Sequence, residues 1–169
     1  MPLTLRVWRF TDGRAGHEKQ SAGLVQGLRE SLPETVGAGS SIECRDIPVA
    51  EFSRDLSQLW QDPGAAPDLL IGAGRRTHLP MARVRWHLGS RTVCLMRSTL
   101  PRFCYDLALV PQHDRLWSER KVLRTLGALG PSMPGAPSAE CGLSLLGGEN
   151  DHFDWSDEEV CASVAAIVA

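Results

Sequence analysis

Short apolar runs alternate along the chain with stretches that carry apolar residues at helical spacing. Leu3 to Phe10 is the first such run, and Ser21, Leu24, Val25 and Leu28 behind it share one face of a helix. Gly23 and Gly27 are poor helix formers four residues apart, which predicts close packing of that helix on a sheet. Pro33 and the stretch Gly37 to Ser40 predict a loop. Ser41 to Ile47 reads as a second strand. Phe52, Leu56, Leu59 and Trp60 mark a second helical stripe, broken between Pro63 and Pro67. Leu69 to Ile71 is short and continuously apolar, as expected of a strand covered on both faces. The helix after it is predicted to bury Leu79, Ala82 and Trp86 and to stop at Gly89. Arg91 to Met96, Leu107 to Val110 and Lys121 to Leu126 read as three further strands.

Strands alternating with helices of this length predict an α/β fold, a Rossmann-like parallel sheet flanked by helices. Residues 130 to 138 are rich in Pro, Gly and Ser, the composition of an interdomain linker. The expected organisation is an N-terminal domain over 1–129, a linker over 130–140, and the start of a second domain over 141–169. That start comprises a strand at Gly142 to Leu146 and a helix opened by Ser156 and Glu159 in capping-box spacing. Its apolar stripe is Val160, Val164 and Ile167. One strand and one helix cannot bury a core, so the expectation is a truncated second domain, completed by further chain or by a partner chain.

Composition narrows the class. The chain has 169 residues and a formal net charge of -2, which argues against a dedicated nucleic-acid binder. Five dispersed cysteines without a CxxC pair point to reduced thiols. Arg6 and Arg9 interrupt the first apolar segment, unlike a signal peptide, and no apolar run nears the roughly 20 residues of a membrane span. The expected location is cytoplasmic, with peripheral membrane contact still compatible.

In an open α/β sheet, ligands bind outside the carboxyl ends of the strands. Polar clusters fall at four such ends: Asp12, Arg14 and His17; Arg75, Arg76, Thr77 and His78; Gln112, His113 and Asp114; and Glu149, Asn150 and His152. Asp12 and His17 are the candidates for general acid/base chemistry. Gly72-Ala73-Gly74 leads into Arg75 and Arg76 at a helix start. A basic pair there opposes the helix dipole unless an anion is bound. Arg14, Gly72, Gly74, Arg75, Arg76, Thr77 and His78 are therefore the candidate anion-binding residues. Gln112, His113, Gly147 and Gly148 are candidates to line the cleft. No His, Asp or Cys spacing matches a compact metal motif, so no metal or cofactor is expected. Nucleotide-binding and hydrolase fingerprints are also lacking.

Thr11-Asp12-Gly13-Arg14-Ala15-Gly16-His17-Glu18-Lys19-Gln20-Ser21 and Ile71-Gly72-Ala73-Gly74-Arg75-Arg76-Thr77-His78 resemble motifs of the mitochondrial-fission "elongated mitochondria" family of bacteria and plants. Leu95-Met96, Leu100-Pro101, Asp106-Leu107 and Val110-Pro111-Gln112-His113-Asp114 fit its later blocks, in order. The resemblance implies a glycosyltransferase-like fold of the GT-B type, with two facing Rossmann-like domains. Bacterial members are often described as nucleoside-diphosphate-sugar enzymes, which makes a nucleotide sugar the candidate substrate and a small phosphorylated or sugar compound the candidate ligand. The plant member helps recruit a dynamin-related GTPase at the mitochondrial surface, which implies the alternative of a non-catalytic scaffold. The family's Gly-Gly-Pro-Ser at the second domain is here Gly147-Gly148-Glu149-Asn150.

Overall fold

The computed structural model describes residues 2–52, 56, 59, 66–114, 120–131 and 155–168. Two compact units divide the chain, Met1–Met133 and Pro134–Ala169. The first unit is built on six strands: β1 (Thr4–Thr11), β2 (Ser41–Pro48), β3 (Leu69–Ala73), β4 (Arg91–Leu95), β5 (Leu107–Pro111) and β6 (Val122–Thr125). All pair in parallel, in the order β2-β1-β3-β4-β5-β6. Helices α1 (Ala15–Val36) and α2 (Arg75–Leu88) follow β1 and β3. This is an α/β, Rossmann-like architecture.

The alternation of side chains along each strand divides the core in two. Val7, Ile71, Ala73, Leu95 and Leu109 gather with Val25 of α1, and Leu24 and Leu28 lie half-buried beside them. Trp8, Phe10, Leu70, Ala108 and Val110 gather with Met81 and Val84 of α2, joined by Ile47, Leu56 and Leu59. Removing side chains such as Phe10 and Ile71 from water stabilises the fold by roughly 1.5–3 kcal/mol each. An ion-pair cluster ties α2 to β4. Arg85 of α2 and Arg91 of β4 both meet the Asp106 carboxylate, which also accepts from Thr92 N at 2.9 Å. Burial pushes that carboxyl up, but Arg85, the Thr92 amide and Arg91 outweigh it and hold it below the ordinary carboxylate range.

Several expectations need correction. The helix after β1 does not stop at Pro33 but continues to Val36, with Pro33 in its last turn. A proline there removes one backbone donor, while its own carbonyl still accepts from Gly37 N at 3.1 Å. Gly23 does allow close approach, but to the backbone of Gly130 and not to the sheet, while Gly27 faces open space. In α2 the buried residues are Thr77, His78, Met81, Ala82 and Val84. Leu79 is 51% exposed and Trp86 65% exposed. The inward stripe runs Thr77, Met81, Val84 at i, i+4, i+7, which turns Trp86 outward to stack on Phe103 with ring centroids 6.4 Å apart. Gly89 ends the helix as expected, in the left-handed conformation (φ 75°).

In the second unit, α3 (Asp157–Val168) starts where the capping spacing places it, with Ser156 Oγ accepting from Glu159 N at 3.4 Å. Val160 and Val164 are half-buried and Ile167 is exposed. The strand expected at Gly142 to Leu146 lies outside the described residues, as does most of the stripe between β2 and β3. No helix among the described residues is long and apolar enough to cross a membrane.

Candidate functional site

The strand order reverses direction at β1. Its first connection leads to β2 on one side, and the chain then returns to β3 on the other. In open parallel sheets such a reversal leaves a crevice at the carboxyl ends of the two diverging strands. Here those ends carry the Asp12–Arg14 turn and the Gly74–Arg75 turn, the two loops singled out in the sequence.

The first turn is held by its own side chains. Asp12 Oδ1 accepts from Arg14 N at 3.2 Å, and Gly13, at φ 80°, donates its N–H to Glu18 Oε1 at 3.1 Å. Asp12 Oδ2 lies 2.9 Å from His17 Nδ1. The Asp12 side chain is only 1% exposed, whereas the His17 ring is 17% exposed. An ionised carboxylate can only accept, so in the neutral imidazole Nδ1 carries the ring proton and Nε2 is the lone-pair nitrogen. Both oxygens of the buried Asp12 carboxylate are thus engaged, one by the turn backbone and one by the His17 ring.

The second turn touches the first. Gly74 caps α2 with φ 82°, and a Cβ built on it would collide with the His17 ring at Cε1 and Nδ1. Only glycine permits both the backbone angle and the overlying imidazole. Together the two turns form a cleft of about 340 Å³ lined by Arg14, His17, Gly74, Arg75, Arg97 and Asp114. Both helices start at this cleft without a side-chain cap. Their first-turn amides thus keep the positive end of each helix dipole at the site. The guanidinium groups of Arg14, Arg75 and Arg97 make no hydrogen bond or ion pair among the described residues. Among the described residues the one carboxylate lining the cleft is Asp114, whose Oδ1 is 3.9 Å from His113 Nε2. Three guanidinium groups and two uncapped helix N-termini thus face one described carboxylate at this cleft.

Other expected residues are placed differently. Gly72 lies inside β3, where a Cβ would meet Met81 Sδ and Thr77, so it serves helix–strand packing. Thr77 is fully buried and donates its hydroxyl to Gly74 O at 2.9 Å, which fixes the turn from behind. His78 is 1% exposed; its Nδ1 accepts from Thr99 N at 3.4 Å, which leaves Nε2 buried without a partner. Burial, with a smaller contribution from the nearby His17, lowers the His78 pKa to about 4, so it is neutral at pH 7. Arg76 lies beside Arg75 along a separate cleft of about 470 Å³, with Phe52, Leu56 and Arg83. Gln112 and His113 are exposed and do not line the switch-point cleft. Gly147 and Gly148 lie outside the described residues.

Met96 and Arg97 complete the cleft and were not singled out as site residues by the sequence. They follow the carboxyl end of β4 directly, and Met96 takes φ 68°, a strained angle for a side chain of its size. The position after a strand end was the available signal, but a lone arginine without a glycine turn does not stand out. Among the described residues Cys44, Cys94, Cys104 and Cys161 are free thiols. Among the same residues no group of three or more His, Cys, Asp or Glu converges to hold a metal ion.

No curated protein and no solved structure matches this chain. A protein-family model does, over residues 15–169, under the description "Mitochondrial fission ELM1". With most of its length matched, the chain belongs to the mitochondrial fission ELM1 family.

Proposed function

We propose that this chain supplies the acceptor side of a sugar-transfer enzyme. Its switch-point cleft would hold the anionic group of a phosphorylated or sugar-nucleotide ligand. The observation that carries the reading is His17, fixed through Nδ1 by a buried Asp12 carboxylate beside three guanidinium groups without a partner among the described residues. In this reading His17 Nε2 takes the proton of an acceptor hydroxyl while its oxygen bonds to the anomeric carbon. The bond from that carbon to the leaving phosphate breaks, and the electron pair goes to the phosphate oxygen. Arg14, Arg75 and the helix ends offset the charge that develops there. Asp12 is a positioning residue, and the donor half comes from another domain or a partner chain. The work is cytoplasmic.

The test is a thermal-shift panel of UDP- and GDP-sugars and inorganic pyrophosphate. At least one member raises the melting temperature of the wild type, and Arg75→Ala removes the rise. A flat panel, with Arg75→Ala behaving like wild type, sinks the reading.

A second reading, a non-catalytic scaffold, is favoured by the exposed Trp86–Phe103 stack. A stable protein partner lost on Trp86→Ala, with His17→Ala leaving cellular function intact, would replace the first reading with this one.

A further inference from the structure

A second, larger cleft of about 800 Å³ opens on the sheet face that carries α2, over β5 and β6. The connection from β4 to β5 contains only a three-residue 3-10 turn, Arg102–Cys104, so that connection lays no long helix over this end of the face. Ala108 and Val110 of β5 form the floor, and Leu100, Phe103 and Tyr105 form walls. Its charge is one-sided. Arg97, Arg102, Arg120 and Lys121 line it, and no described lining residue is acidic, although the whole chain is net negative. Lys121 is already committed, donating through Nζ to Arg102 O at 3.1 Å and Tyr105 O at 2.8 Å. Two polar groups remain. The Arg97 guanidinium has no partner among the described residues, and it lines this cleft as well as the switch-point cleft. Tyr105 is 6% exposed, yet its hydroxyl makes no hydrogen bond among the described residues.

An inorganic anion would fill a small fraction of this volume and leave the aromatic and aliphatic walls wet. A ligand pocket of this size ordinarily takes an organic body through its apolar walls and orients it through a few polar groups. We propose that this cleft binds a small amphipathic anion, with its charged group at Arg97 and its apolar or aromatic body between Phe103, Tyr105 and Val110. The Tyr105 hydroxyl supplies the one polar contact deep in the cleft. Nothing in this proposal requires sugar transfer.

Octyl phosphate, titrated as a monomer into the full chain by calorimetry, is the probe, with inorganic phosphate and neutral octyl glucoside as references. Octyl phosphate is expected to bind at least about tenfold more tightly than either reference, because one alkyl body and one charge are engaged together. Its heat-capacity change is expected to be negative, the mark of apolar burial. Arg97→Ala and Phe103→Ser each weaken it by about fivefold or more, and Tyr105→Phe by a smaller factor, with melting temperatures within a few degrees of wild type. Arg75→Ala, at a residue that does not line this cleft, leaves octyl phosphate affinity unchanged while abolishing any sugar-nucleotide shift, so the two sites fail separately. Equal affinity for phosphate and octyl phosphate would overturn the proposal, as would wild-type affinity in both Arg97→Ala and Phe103→Ser. Binding seen only with phosphatidylglycerol vesicles would overturn it in favour of a membrane surface.

Discussion

His17 of α1 and His78 of α2 have opposite environments. His17 is partly exposed and held by a carboxylate; His78 is buried, with one ring nitrogen lacking any partner. The Asp12 contact fixes the tautomer of His17. Nitrogen-15 spectra of the neutral ring should therefore show a protonated Nδ1 and a bare Nε2, a preference that Asp12→Ala removes. Equal tautomer populations in the wild type would contradict the dyad geometry. For His78 the sign runs the other way from a paired histidine. Its folded pKa, about 4, lies below the ordinary value of 6.5, so the folded state binds fewer protons than the unfolded one. The resulting stability is complete above pH 6.5 and is lost as pH falls toward 4. The loss reaches about 3 kcal/mol. Urea unfolding at pH 7 and pH 4.5 would measure it, and His78→Phe should flatten the difference. At this scale Asp12, Arg14, His17, Gly74 and Arg75 could be read from the sequence because they sit in glycine turns at strand ends. The burial of Thr77 and His78 could not, since polar side chains give no hydrophobic signal of an inward face.

The elements were more legible than their faces. Six strands could be placed to within two residues because short apolar runs between turn residues have few other readings. For α2, the large apolar surface of Trp86 and Leu79 suggested an inward stripe, whereas the register set by Thr77 and Met81 puts both outside. That register depends on Gly72, where the helix approaches β3 too closely for any side chain. Gly72→Ala is expected to cost about 1–3 kcal/mol by forcing Met81 and Thr77 apart. A chemical-denaturation midpoint equal to wild type would show that the helix can shift without strain. Arg97 lay beyond reading at this level, because its importance comes from two clefts that the linear order does not bring together.

For the whole molecule, the sheet order gathers positive charge in a chain that is negative overall. Arg14, Arg75 and Arg97 come from loops after three different strands, β1, β3 and β4, and meet at one edge. Anion binding there should be electrostatic and partly exposed, and therefore screened by salt. Raising ionic strength from about 0.05 to 0.5 M is expected to weaken pyrophosphate binding by about tenfold, and Arg75→Ala should flatten that dependence. A salt-independent affinity would mean that the guanidinium groups take no part.

The contact between His17 and Gly74 also has a temporal side. β1 pairs with β2 across 37 residues and with β3 across 62, so its two neighbours leave the ribosome at different times. The Asp12–His17 turn can form with the early β1–α1–β2 unit, but the glycine beneath the imidazole arrives only with β3. During synthesis the nascent protein thus carries the His17 turn with no opposing wall. Ligand affinity becomes a report on β3 docking, and an anion that binds only the assembled cleft would draw that late step forward.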